Sequence, residues 1–135
     1  MTFPQQRLRR LRKSGAIRRL ISETTLSVDD FVAPLFVREG ITEPQPIASL
    51  PGVFQHTRDS LKGEIDQIRN LGIPSIILFG IPAEKDATGS GAWDPNGIVQ
   101  QAIADCKSVT GDDLVIMSDL CVDEYTDHGH CGVVN

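Results

Sequence analysis

Three apolar runs, Phe31–Val37, Ser75–Phe79 and Leu114–Met117, are separated by stretches of helical periodicity, and this alternation constrains the fold more than any other feature. Strands that are apolar on both sides are covered on both faces, and parallel neighbours need a crossover of about a dozen residues or more. The first crossover carries Leu61, Ile65, Ile68 and Leu71 as one helical stripe, capped by Asp59 or Ser60 and stopped by Gly72 and Pro74. In the second, Asp94-Pro-Asn-Gly97 opens a helix whose Ile98, Ala102, Ile103 and Cys106 share a face. The order strand, helix, strand, helix, strand predicts an α/β fold on a parallel sheet, either doubly wound or a barrel. Pro34 has no N–H for a ladder, so the first strand must be irregular there or leave that position unpaired. Ser27–Asp30 reads as a short capped turn. Glu43–Pro46 and Leu50–Gly52 read as turns, with a short extended piece over 53–57 beside them.

The 135 residues suffice for one compact unit and exclude a two-domain enzyme. No apolar run approaches the roughly 18 residues that span a bilayer, and the opening lacks the apolar core of a secretory leader, so a cytoplasmic protein is expected. Three cysteines, Cys106, Cys121 and Cys131, are too few for a disulfide scaffold and point to metal or thiol chemistry instead. No C-x-x-C dithiol is present, and Cys106 falls on an apolar helix face, where core packing accounts for it. Neither common Gly-rich nucleotide turn follows any strand. Thr88-Gly-Ser-Gly91 reads as a surface loop.

Charge is unevenly spread. Arg7, Arg9, Arg10, Arg12, Lys13, Arg18 and Arg19 all precede the first acid, Glu23, while the rest of the chain sets 6 bases against 18 acids for a total of -5. Residues 1–26 are therefore a basic arm and 27–135 an acidic body. Gly15 interrupts the apolar periodicity of the arm, which is marginal as a helix alone. An arginine-rich arm suits nucleic acid, anionic lipid or an acidic neighbouring subunit. No aromatic side chain is interleaved among the arginines, which removes base stacking, and no nucleic-acid partner is expected.

The chemistry is concentrated after the third strand. Between Ser118 and Cys131 stand Cys121, Cys131, His128, His130 and the acids Asp119, Asp123, Glu124 and Asp127. The C-terminal ends of parallel strands are where ligands bind in such folds. In an extended segment Cys121 and Asp123 point to one side, and a turn through Gly129 can return Cys131 to them, giving a tetrahedral site with one open position. Buried packing is the competing reading of the same residues. His128 and His130 suit hydrogen-bonding support of the ligands better than ligation.

These residues also carry a family resemblance. Arg9-Arg-Leu-Arg12, Ala33-Pro-Leu-Phe-Val-Arg-Glu-Gly40, Pro51-Gly-Val53, Gly72-Ile-Pro74, Leu78-Phe-Gly80, Lys85-Asp-Ala-Thr-Gly-Ser90, Ala92-Trp-Asp-Pro95 and Tyr125-Thr-Asp-His-Gly-His-Cys-Gly132 follow one another as in the N-terminal part of 5-aminolaevulinate dehydratase, or porphobilinogen synthase. The resemblance implies the first part of a TIM (β/α)8 barrel behind an N-terminal arm that embraces another subunit, in a homo-oligomer, an octamer in this family. It implies condensation of two 5-aminolaevulinate molecules to porphobilinogen with loss of water, a step of tetrapyrrole and haem synthesis. Zinc-dependent members bind the metal with three cysteines, the first and last corresponding to Cys121 and Cys131. The middle position here is Asp123. Other members use acids and magnesium, so this loop is a hybrid.

Two thiolates and one carboxylate favour zinc, with magnesium as the second candidate ion. Asp119 resembles an active-site position that contacts substrate ammonium or bound water, and loop anchoring is its plainer role. A whole barrel takes about 250 residues, so the chain is expected to be a fragment. The family's two Schiff-base lysines lie on later strands, and none of Lys13, Lys62, Lys85 or Lys107 matches their segments, so the chain alone is expected to be inactive. Its open sheet edges make solubility alone doubtful. The alternative is a non-enzymatic zinc-binding or assembly module.

Overall fold

The structure, a computed structural model, describes residues 9–132; residues 1–8, with Arg7 and Leu8 of the basic arm, and residues 133–135 lie outside it. A five-stranded mixed sheet, ordered β2-β3-β1-β4-β5, is built from β1 (Val32–Arg38), β2 (Gln45–Pro46), β3 (Phe54–His56), β4 (Ser75–Ile81) and β5 (Val115–Ser118). β1 pairs in parallel with β3 and β4, and β4 with β5, while β2 closes the edge against β3 in antiparallel fashion. The three expected strands are β1, β4 and β5. Pro34 is tolerated because β3 reaches only Phe36 and Val37, leaving β1 at Pro34 with β4 as its one neighbour.

Strands β1, β4 and β5 lie side by side in chain order, joined by α2 (Arg58–Asn70) and α3 (Ile98–Thr110). Side chains alternate across a strand. Leu35, Val37, Ile76 and Leu78 share one core with Leu61, Ile65 and Ile68 of α2 and Ile98, Ala102 and Cys106 of α3, so both helices cover the same face. Full burial of each such aliphatic side chain contributes roughly 1.5–3 kcal/mol. The helices are clasped outside the core by Arg58, which donates to Asp105 from Nε at 2.6 Å and from Nη2 at 3.0 Å.

Two details differ from the sequence reading. Helix α2 is capped by Thr57, whose Oγ1 accepts the Ser60 amide while Ser60 Oγ accepts the Thr57 amide, both at 3.0 Å. This reciprocal box satisfies two donors, which Asp59 or Ser60 as cap would not. Leu71 is the residue after the helix and is 68% exposed, because the chain turns away there through Gly72. The turn after Ser27 is capped as expected.

The described part of the arm forms a single turn at Arg10–Arg12 and a six-residue helix, α1 (Gly15–Leu20), with Ser14 Oγ accepting the Ile17 amide. Gly15 begins this helix rather than interrupting it. No residue of either piece is buried, and Leu20 is 84% exposed. No helix among the described residues is long and apolar enough to cross a membrane.

Candidate metal centre

At the C-terminal end of β5 the chain leaves the sheet and folds into compact turns. Asp119 Oδ1 accepts the Cys121 amide at 3.2 Å, and the Val122 carbonyl accepts the amides of Tyr125 and Thr126 at 2.9 and 3.1 Å. The segment is thus turned rather than extended, so Cys121 and Asp123 do not meet by strand alternation as expected. Tertiary folding brings them together instead. Thr126 is 2% exposed, and its hydroxyl lies 3.3 Å from the Asp123 carbonyl and 3.0 Å from the His130 carbonyl, bridging the two limbs of the loop.

The result is one cluster. One ligand atom each from Cys121, Asp123 and Cys131 lies within 4.8 Å of the others. Cys121 Sγ is 3.1 Å from Cys131 Sγ, and Cys131 Sγ is 3.7 Å from Asp123 Oδ1. All three cysteines are free thiols. The Cys121 thiol is pushed up to about 12 by its bond to the Cys131 sulfur and by the neighbouring Asp123 carboxylate. Such a proton is what a divalent cation displaces on binding. Cys106 is buried in the core and its thiol is pushed up to about 11 by desolvation, in keeping with an inert packing role.

Asp119 and Cys121 line a cleft of about 350 Å³ together with Trp93, Ile103, Leu120 and Tyr125. Asp119 therefore anchors the loop and faces the cleft at once. Glu124, which the sequence offered only as one acid among several, is half-buried. Its carboxyl is pushed up to about 7, chiefly by desolvation and then by Asp119 and Asp123, with Lys85 opposing. The Tyr125 phenol is pushed up to about 12 by burial and by Glu124, and stays protonated. The signal for Glu124 was its position between two other acids, but its burial is not legible from that.

The loop after β4 supports this site from the other side. The Asp86 carboxylate accepts from the hydroxyls of Ser90 and Thr88 and from both their amides, and these donors hold it well below the usual carboxylate range. Thr88 and Ser90 are exposed, so Thr88–Gly91 is a surface loop as expected, and its turn is fixed by the Asp86 carboxylate. At Asp86 the backbone runs parallel to the loop after β5: the Asp86 amide donates to the Tyr125 carbonyl at 3.3 Å, and the Asp127 amide to the Asp86 carbonyl at 3.1 Å. Gly89, with φ of 70°, lies so close that a Cβ would sit 3.2 Å from Thr126 Cγ2 and 3.3 Å from the Val122 carbonyl. His128 and His130 stack at 5.9 Å outside the cluster, and His128 Nε2 lies 3.2 Å from the Ala87 carbonyl.

Comparison with known proteins follows the same lines. A family profile described as "Delta-aminolevulinic acid dehydratase" matches residues 5–135. The delta-aminolevulinic acid dehydratase of Streptomyces coelicolor is 52% identical over 136 residues, which cover 99% of this chain and 41% of that protein. The enzyme of the same name from Halalkalibacterium halodurans is 51% identical over 134 residues, 99% of this chain and 40% of that one. The chain therefore spans about two fifths of the length of these relatives. The solved structure of delta-aminolevulinic acid dehydratase (porphobilinogen synthase) from Toxoplasma gondii ME49, in complex with the reaction product porphobilinogen, superposes with a TM-score of 0.85 at 32% identity, over 97% of this chain and 37% of that one. With that profile over nearly its whole length, the chain belongs to the delta-aminolevulinic acid dehydratase family.

Proposed function

We propose that this chain supplies the metal-bearing first portion of a porphobilinogen synthase, which condenses two 5-aminolaevulinate molecules to porphobilinogen with loss of water. The observation that carries the reading is the convergence of Cys121, Asp123 and Cys131 at the C-terminal end of β5, within a family whose relative was solved with porphobilinogen. In-order parallel strands with both helices on one face support residues 27–135 as the opening strands and helices of a (β/α)8 barrel. Residues 1–26 are the arm, and the exposed basic and apolar side chains of its described part, Leu11 and Leu20 among them, suit docking on the acidic body of another copy.

The donor set fits zinc. Zinc–sulfur bonds of about 2.3 Å at a tetrahedral angle separate two sulfurs by about 3.8 Å, so the pair at 3.1 Å has only to open slightly. Magnesium asks for oxygen donors, and the cluster has one carboxylate. When bound, the ion supplies Lewis acidity toward a ketone or a water molecule. Asp119, at the wall of the cleft, receives the substrate ammonium. The lysine amine that would attack a substrate ketone to form an imine is matched by none of Lys13, Lys62, Lys85 and Lys107, so residues 1–135 alone form no porphobilinogen.

The test is zinc content after exhaustive dialysis, beside porphobilinogen formation by a chain extended to the relatives' length. Stoichiometric zinc is expected in the wild type, weaker retention in Asp123→Ala, tighter retention in Asp123→Cys and loss in Cys131→Ala. Equal zinc in all four overturns the ligand assignment. Zinc binding without product in the extended chain returns the protein to the binding-module reading.

A further inference from the structure

The support beneath Cys131 has a feature that none of the metal ligands explains. His130, immediately before Cys131, donates its amide to His128 Nδ1 at 3.2 Å. A ring nitrogen that accepts carries no proton, so the neutral ring holds its proton on Nε2. That nitrogen faces the Ala87 carbonyl at 3.2 Å, a residue 41 positions away, in the loop that the Asp86 carboxylate knots. One imidazole therefore joins the limb carrying Cys131 to the loop that follows β4.

The surroundings make this join the outer of three successive ties. The Asp86 amide bonds the Tyr125 carbonyl, the Asp127 amide bonds the Asp86 carbonyl, and His128 bonds the next carbonyl along, Ala87. The first two ties end at Asp127, before the chain turns through Gly129 toward the sulfur. Among the described residues the returning limb is held by the Thr126 hydroxyl on the His130 carbonyl, by the Gly129 amide on the Thr126 carbonyl, by the Cys131 sulfur within the cluster and by the His128 ring, and of these only the ring reaches the loop after β4. Both cluster cysteines are exposed, so burial contributes little to fixing the position of Cys131.

We propose that His128 is a positioning residue for the metal centre: by accepting the His130 amide at Nδ1 and donating from Nε2 to the Ala87 carbonyl, it moors the Cys131 limb to the loop after β4 and so preorganises the third ligand. The inference rests on the metal-site reading above. Removing a hydrogen-bond partner of this kind from a metal site typically costs about 10–100-fold in affinity, and here the loss falls on the Cys131 bond.

Rates of zinc transfer from the loaded protein to a chromogenic chelator test this, with His128→Ala, His128→Gln and His128→Asn beside the wild type. Gln places an N–H donor near the Nε2 position, and Asn places an acceptor near the Nδ1 position without the reach to Ala87. Zinc release about 10-fold faster or more is expected in the Ala and Asn variants, with release near the wild-type rate in Gln. Cobalt-loaded Ala protein should also show altered thiolate-to-metal absorption relative to the wild type. Equal release in all four proteins overturns the proposal, as does rescue by Asn and not by Gln, which would confine the role to the local turn. The tautomer provides a readout independent of metal: ring nitrogen NMR shifts in metal-free protein should show protonation at Nε2, and an Nδ1–H ring overturns the mooring. A wild type that takes up no zinc but shows the Nε2–H ring refutes the metal reading and leaves the tie itself standing.

Discussion

The two faces of the sheet are built from the same strands and meet opposite fates. On the helix-covered face Val37, Ile76 and Leu78 are fully buried against α2 and α3. On the other, Pro34, Phe36, Ile77, Phe79 and Met117 stand in register across β1, β4 and β5, with Phe36 and Phe79 stacked at 5.2 Å, and all are half-buried or exposed. The hydrophobic effect does not distinguish two faces of equal apolarity, so the difference lies in what has been laid over each. The helix face carries the stability of these residues, and the open face carries their capacity to associate with more protein.

Neighbouring residues on β4 give the sharpest test of that contrast. Leu78→Ala should cost about 3 kcal/mol in urea unfolding, as for a cavity in a closed core. Gly80→Ala should cost about 2 kcal/mol by overpacking, since a Cβ there would collide with Val99 Cγ2 and fall 2.6 Å from the Tyr125 hydroxyl. Phe79→Ala removes a larger side chain than Leu78→Ala, yet in the 135-residue chain it should cost only about 1 kcal/mol. Equal costs for Leu78→Ala and Phe79→Ala in this chain would break the comparison. A rise in the Phe79 cost toward about 3–5 kcal/mol in a chain of the relatives' length would sharpen it.

The smallest expected effect lies outside the core. Arg58 holds the Asp105 carboxyl below the usual range through its hydrogen bonds, and the pair is partly exposed. A depressed carboxyl stabilises the fold above its unfolded pKa of about 4 and loses that contribution as pH falls through the folded value. Asp105→Asn should therefore cost about 0.5–1 kcal/mol at pH 7, and the gap to wild type should close progressively below about pH 4. A gap that persists unchanged to pH 2 would assign the effect to packing instead.

The candidate ligand loop is legible in residue type and illegible in path. Cys121, Asp123 and Cys131 stand out because thiols and acids rarely crowd so short a segment, and the structure does gather them. The path departs from extended geometry because the Asp119 carboxylate and the Val122 carbonyl fold the chain into turns. Helix α2 shows the same limit on a smaller scale. Its stripe of Leu61, Ile65 and Ile68 follows from periodicity, but the cap moved to Thr57 because the reciprocal bond with Ser60 satisfies more of the backbone.

Periodicity and residue chemistry alone determined the alternating α/β order, the helix faces and the candidate ligands, since each depends on spacings of a few residues along one chain. Only the tertiary structure decided that both helices cover one face, that Asp86 knots the glycine-rich loop, and that His128 reaches the Ala87 carbonyl. The helix packing and the His128 tie join residues tens of positions apart, the Asp86 turn is local but closes partly on backbone amides, and backbone groups have no signature in the side-chain sequence.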